Sequence, residues 1–278
     1  MIATTAAASD TVAAMTAMAD LTGKTLLITG SSRGIGRAIA IECAAAGANV
    51  AINYRSHPEE AAEVVAAVKK HGRESAAFPC DVSDRDAVRE MIHEADKTLG
   101  PLTGVISNAA YSDRKRLLEQ DLELYDRTIA VTMQGPFNVL HATAKLWVDR
   151  EQPGAILIVS SPHAYIPIPT ALAYNMSKAA IEMMAKTAAI ELARHQIRVN
   201  ILQPGWTDTP GERNFFTEEQ IEEGQKTLPL GRIGTPEEVG RMARLLMSDD
   251  AAYMTGSSLL IDGGVSLPWW SNRDEGGQ

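Results

Sequence analysis

The chain has little cysteine: two residues in 278, Cys43 and Cys80. Two thiols exclude a disulfide framework and a four-thiolate zinc site. Cys43 falls in an Ala-rich helical stretch and Cys80 ends a short strand pattern. Both are therefore expected as small core residues, and the expected compartment is a reducing cytoplasm. Aromatic residues are sparse at 5%, and 21 Gly with 13 Pro are too few for collagen-like or low-complexity sequence. Basic residues are outnumbered by acidic ones, 26 against 35, for a formal charge of −9. That balance argues against a binder of phosphate backbones, so no nucleic-acid partner is expected. Segment 1–19 has no Lys or Arg and no unbroken apolar run. It fits neither a signal peptide nor a spanning helix, so it is expected to be a mobile extension, and no membrane partner is expected.

What is present is an ordinary globular composition, 45% apolar and 22% charged. Strand and helix patterns alternate from Leu21 onward. Strands are expected at 24–29, 49–53, 75–79, 103–107, 155–160, 197–202 and 258–261. Helices are expected at 35–46, 58–71, 84–99 (capped by Ser83), 118–150, 171–194 and 236–247. The strand runs are continuously apolar, as in strands buried on both faces. This predicts an α/β fold with a doubly wound, parallel, seven-stranded sheet (a Rossmann fold) in three α/β/α layers. One dinucleotide-binding and catalytic domain, 20–265, would carry a loop insertion near 210–229 and a tail, 266–278. Ligands in such sheets sit beyond the carboxyl ends of the strands.

Chemistry-bearing residues fall at those ends. Thr29-Gly30-Ser31-Ser32-Arg33-Gly34-Ile35-Gly36 joins the first strand to the first helix. Glycines there let the backbone approach a pyrophosphate, and a helix N-terminus offers free N–H groups. Asn108-Ala109-Ala110 follows the fourth strand and Ser161 follows the fifth. Tyr174 and Lys178 are four apart and share a helix face. A lysine charge beside a phenol favours the phenolate, which makes tyrosine a usable acid/base. Taken alone, such a pair reads better as the start of an amphipathic helix.

Together these motifs resemble the short-chain dehydrogenase/reductase family over nearly the whole chain after Leu21. Thr29–Gly36 is similar to its T-G-x-x-x-G-x-G cofactor turn, Asp81-Val82 to its adenine-contacting pair, and Asn108-Ala109-Ala110 to its N-A-G motif with Ala last. Ser161, thirteen residues before Tyr174, stands at the catalytic serine. Tyr174 to Lys178 fits Y-x-x-x-K, Pro204-Gly205 with Thr209 fits P-G-x-x-x-T, and Asp262-Gly263-Gly264 fits the C-terminal D-G-G. The resemblance implies that Tyr174 moves a proton to or from the substrate oxygen, that Ser161 holds that oxygen, and that Lys178 depresses the tyrosine pKa and binds ribose. It implies a nicotinamide cofactor held by Gly30, Ser32, Arg33, Gly34, Ile35, Gly36, Tyr54, Arg55, Asp81, Val82, Asn108, Ala109, Tyr174, Lys178, Pro204, Gly205, Thr207 and Thr209. No metal is required.

Cofactor choice is read at the end of the second strand. Asn53-Tyr54-Arg55-Ser56 offers no acid for a ribose diol, whereas Arg55 and Arg33 could clamp a 2′-phosphate. NADP is expected, with NAD possible. The segments Tyr54–Ser56 and Ser160–Pro167 are most similar to bacterial glucose 1-dehydrogenases, so a sugar or polyol is expected, contacted by His163, Tyr165 and Trp206. The alternatives are a 3-oxoacyl thioester, with Arg114-Lys115-Arg116 on an acidic carrier or an anionic substrate, and a catalytically weak dinucleotide-binding sensor or scaffold. One departure is Thr132, in Val131-Thr132-Met133-Gln134-Gly135, where the family has an Asn that supports a proton relay. Trp269 and Trp270 in the tail point to a homo-oligomer, expected as a tetramer.

Overall fold

The computed structural model describes residues 19–267. Its seven strands come from the seven apolar runs: β1 (Thr25–Ile28), β2 (Asn49–Tyr54), β3 (Ser75–Pro79), β4 (Gly104–Ser107), β5 (Gly154–Val159), β6 (Ile197–Pro204) and β7 (Ser258–Ile261). They form one sheet in the order β3-β2-β1-β4-β5-β6-β7, every pair parallel. The order reverses between β1 and β4, and the carboxyl ends there open a crevice.

The helices are α1 (Gly34–Ala45), α2 (Pro58–Lys70), α3 (Arg85–Leu99), α4 (Leu122–Ile129), α5 (Gly135–Asp149), α6 (Leu172–Leu192), α7 (Glu218–Lys226) and α8 (Pro236–Met247). One face of the sheet is covered by α1, α2 and α8, the other by α3, α5 and α6. Strand β5 shows why the runs are continuous. Ile156 and Ile158 face one core; Ala155, Leu157 and Val159 face the other; all five are buried. Each such Leu or Ile contributes roughly 1.5–3 kcal/mol by leaving water.

Three expectations are corrected. The cap of α3 is Asp84, whose carboxylate accepts from the Asp86 and Ala87 amides at 3.0 Å, because its extended backbone immediately precedes the first helical residue. Ser83 instead donates its hydroxyl to Asp81 at 2.7 Å. The long helix of 118–150 is broken into a 3₁₀ turn (Leu117–Glu119), α4, a π-helical turn (Ala130–Gln134) and α5. Pro136 has no N–H to continue an α-helical ladder across that junction. The insertion 210–229 is not loop throughout: it holds α7, started by a capping box between Thr217 and Gln220.

Of the expected extension 1–19, only Ala19 lies within the described residues. It is buried, and its amide donates to Asp250 at 2.6 Å. Trp269 and Trp270 lie outside the described residues. Among the described residues no helix is long and apolar enough to cross a membrane.

Candidate active site

The glycine turn is a backbone device. Gly30 has φ +61°, and a Cβ there would stand 2.9 Å from the Ala109 Cα. Gly36 leaves room for the Gly30 carbonyl and the Asn108 side chain. The N-cap of α1, Arg33, makes no side-chain capping bond. By contrast α3, α4, α7 and α8 are capped by Asp84, Asp121, Thr217 and Thr235. Helices α2, α5 and α6 also lack a side-chain cap; what distinguishes α1 is the glycine turn, which lets an anion approach its first amides. Gly34 faces Thr209 at 3.6 Å, so the turn meets the segment after β6 across the crevice. Along that segment Thr207 donates to the Gly205 carbonyl at 3.0 Å, and Gly205 packs against Asp262.

Two side-chain amides, buried Asn53 and partly buried Asn108, lock the strand ends. Asn108 donates to the Thr29 and Gly30 carbonyls at 2.9 and 3.1 Å, while the amides of Asn108 and Ala109 donate to the Thr29 hydroxyl. Asn53 accepts from the Gly30 amide at 3.0 Å and donates to the Phe78 and Cys80 carbonyls at 3.2 Å. It thus joins β1, β2 and β3 at one point. The sequence reading passed over Asn53; its signal was a polar residue inside the apolar run Asn49–Asn53. Beside it, Tyr54 is partly buried, and Arg55 and Arg33 are exposed without hydrogen bonds or ion pairs among the described residues.

Asp81 accepts from Ser83 at 2.7 Å and pairs with Arg127 at 2.6 Å. Partial burial works to raise its carboxyl pKa, but the hydrogen bonds from Ser83 and Arg127 outweigh it and hold the group below its ordinary value. Arg127 is a second partner that sequence alone did not single out. Cys43 and Cys80 are buried and unpaired, with burial pushing both thiols up to about 12.

At the end of β5 the Ser161 hydroxyl accepts from the His163 amide at 3.3 Å. The His163 ring meets Tyr174 edge-on at 5.2 Å and bonds Asn175 at 2.7 Å. Lys178 is buried, donates to the Val159 carbonyl at 2.8 Å, and lies 5.2 Å from the centre of the Tyr174 ring. Ser161, His163, Tyr174 and Lys178 thus form one cluster. The electrostatics differ from the expectation. Burial pushes the Tyr174 phenol up to about 12, the Glu212 charge adding to the rise and the Arg114 charge opposing it. Burial also brings the Lys178 amine down to about 7, opposed by the Glu182 charge. With the site in this form, desolvation outweighs the attraction that would lower the phenol.

Thr132 is fully buried in the π-helical turn. Its hydroxyl donates to the Tyr111 carbonyl at 2.7 Å and accepts from the Tyr111 amide at 2.9 Å. It clamps the chain that leaves Asn108-Ala109-Ala110.

Across the crevice lies a lid, residues 205–230. Trp206 does not stand free beside the crevice: its indole N–H donates to Glu212 at 3.0 Å, and its ring packs on Phe216 and Gly224. Arg213 pairs with Asp208 and with Glu218, tying the lid to the start of α7. Tyr165, from the turn after β5, is half exposed.

A family model described as Enoyl-(Acyl carrier protein) reductase matches residues 30–266. The chain belongs to the short-chain dehydrogenase/reductase family. Two curated family members are similar along most of their length. The 3beta-hydroxysteroid dehydrogenase 1 of Eggerthella lenta is 37% identical over 249 residues, covering 89% of this chain and 95% of that protein. The glucose 1-dehydrogenase 2 of Bacillus subtilis is 35% identical, covering 89% and 96%. Among solved structures, the gluconate 5-dehydrogenase of Burkholderia cenocepacia J2315, in complex with NADP and tartrate, superposes with a TM-score of 0.83. It is 30% identical, with 90% of this chain and 97% of that chain covered.

Proposed function

We propose that this family member is an NADP-preferring dehydrogenase of secondary alcohols, with a hydroxylated small molecule, a sugar or polyol, as substrate. The observation that carries the reading is the cluster of Ser161, Tyr174 and Lys178 beside an uncapped, glycine-lined helix start. The residues fit a dinucleotide: the amides of the turn through Gly36 suit a pyrophosphate, Asp81 and Val82 an adenine, Asn108, Ala109, Pro204, Gly205, Thr207 and Thr209 the nicotinamide end. When bound, the nicotinamide accepts or supplies a hydride at its C4. In oxidation the carbinol C–H bond breaks as hydride leaves, and the O–H proton passes to the Tyr174 oxygen; reduction reverses both. Ser161 donates a hydrogen bond to the substrate oxygen. Lys178 supports the phenolate when it carries a proton. Burial disfavours both charged forms, so a proton can move between Tyr174 and Lys178 without changing the net charge of the pair.

NADP preference is supported by Arg33 and Arg55, exposed guanidiniums without ion pairs among the described residues, on two segments joined by the Gly30–Asn53 bond. The substrate class is supported by the polar groups beside Tyr174: His163 meets its ring and bonds Asn175, a setting suited to hydroxyls and poorly suited to a steroid. It is also supported by the glucose- and gluconate-oxidising relatives. A carrier-bound 3-oxoacyl thioester is the second reading, favoured by the description of the family model. A homotetramer is supported by apolar surface on neighbouring helices, Leu122, Met176, Met183 and Ile190, and by the open edge of β7. A cytoplasmic setting accords with the free thiols.

The test is a panel with NAD and NADP: D-glucose, D-glucitol and D-gluconate, against a 3-oxoacyl thioester and a 3β-hydroxysteroid. Turnover of a hydroxylated substrate with NADP is the expected result. Turnover of the thioester or steroid alone overturns the substrate class, and higher kcat/KM with NAD overturns the cofactor choice.

A further inference from the structure

We propose that Arg114 selects the substrate of this site by binding a carboxylate, so that the preferred ligand is a polyhydroxylated acid rather than a neutral polyol. The inference rests on the dehydrogenase reading above and narrows it. Arg114 is a guanidinium with donors and no acceptor. It makes no hydrogen bond or ion pair among the described residues, and its Nε is shut from solvent without a partner. Two other arginines differ: Arg213 in the lid is held by Asp208 and Glu218, and Arg232 just after it by Glu238. A donor shut from water without an acceptor is costly, and Arg114, partly buried, keeps its remaining N–H groups for a ligand oxygen.

The side chain is also built into place. Its guanidinium lies over the Phe215 ring at 4.3 Å and the Phe216 ring at 5.3 Å. Stacking occupies the flat face and leaves the N–H edge free, the edge that meets a carboxylate through two parallel bonds. The backbone is pinned next door: the Lys115 amide donates to the Thr170 carbonyl at 2.9 Å, and Lys115 pairs with Ala171. Ala171 immediately precedes α6, whose first turn carries Tyr174. Arg114 is thus fixed relative to the cluster and not to the outer surface. Its charge opposes the upward shifts of the Tyr174 and Glu212 groups and adds to the downward shift of His163, in accord with that placement. Glu212 is the acid in that space; it takes the Trp206 N–H, and burial favours its neutral form despite the opposing charges of Arg114 and Arg213 and the bond from Trp206.

The experiment compares D-gluconate with D-glucitol, which share a hydroxylated chain and differ in the carboxylate, at saturating NADP. Wild type is expected to favour gluconate in kcat/KM. Arg114→Ala is expected to lose about tenfold or more on gluconate, chiefly in KM, and to stay within about twofold on glucitol. Arg114→Gln, which keeps most of the stacking length, is expected to show the same selective loss. Equal losses on both substrates would make Arg114 a lid support and overturn the proposal, as would a wild type without carboxylate preference. Calorimetric titration of tartrate into the NADP-loaded protein separates the two readings. Arg114-dependent tartrate binding without turnover of any alcohol sinks the dehydrogenase reading and keeps this one. Polyol turnover with tartrate binding indifferent to Arg114 does the reverse.

Discussion

The two walls of the crevice are held by different forces. The wall made by β1, β2 and β4 is locked by side-chain amides: buried Asn53 and partly buried Asn108 tie strand ends and the glycine turn through bonds of about 3 Å. The root of the lid, 205–230, is held by backbone bonds to Ile261 and Gly234, and the rest by Arg213 on exposed carboxylates, Arg114 on phenylalanine rings and an indole bond to Glu212. Exposed ion pairs contribute little to stability. The comparison teaches that one wall is a fixed seat, while the other can reopen at small cost, as a substrate-admitting segment must.

The deepest cut into this comparison is at the cluster between the walls. Tyr174→Phe is expected to lower kcat by about 10²-fold or more while NADP affinity, read by fluorescence titration, holds. Near wild-type kcat would remove Tyr174 from the chemistry. Next comes the fixed wall: Asn53→Ala strands the Gly30 amide and two carbonyls, and a loss of about 2–3 kcal/mol in urea unfolding is expected. A neutral result would mean the seat is not locked where the hydrogen bonds lie. Smaller is the change in cofactor choice. Tyr54→Asp with Arg55→Ser should move the NADP/NAD ratio of kcat/KM toward NAD by about tenfold.

A pH experiment probes the cluster from another side. Burial holds the Lys178 amine at about 7, below its ordinary 10.5. Between those values the unfolded chain binds more protons, so this group makes the cofactor-free protein more stable as pH rises from about 7 toward 10. Tyr174, raised to about 12 from 10.0, acts oppositely above pH 10. Lys178→Met should flatten the rise in urea midpoint between pH 7 and 9.5. The smallest effect is expected in the lid. Arg213→Ala should leave the melting temperature unchanged and raise KM by about two- to fivefold. A large stability loss there would erase the distinction between the walls.

The sequence by itself determined the layered sheet, the glycine turn and the Tyr174–Lys178 face. Each follows from local rules: continuous apolar runs for strands buried on both faces, glycine where φ is positive at Gly30, and a four-residue spacing on α6. Only tertiary structure decided the rest. Whether Lys178 lowers the Tyr174 phenol depends on how much water each keeps, which no spacing encodes. Thr132 looked like a weakened relay residue, but its hydroxyl grips both the amide and the carbonyl of Tyr111, twenty-one positions away in the chain. Arg114 read as one of three adjacent surface charges until the lid brought Phe215 under it, across about a hundred residues. Desolvation and long-range contact depend on which distant segments fold over a group, and that is a property of the packed chain.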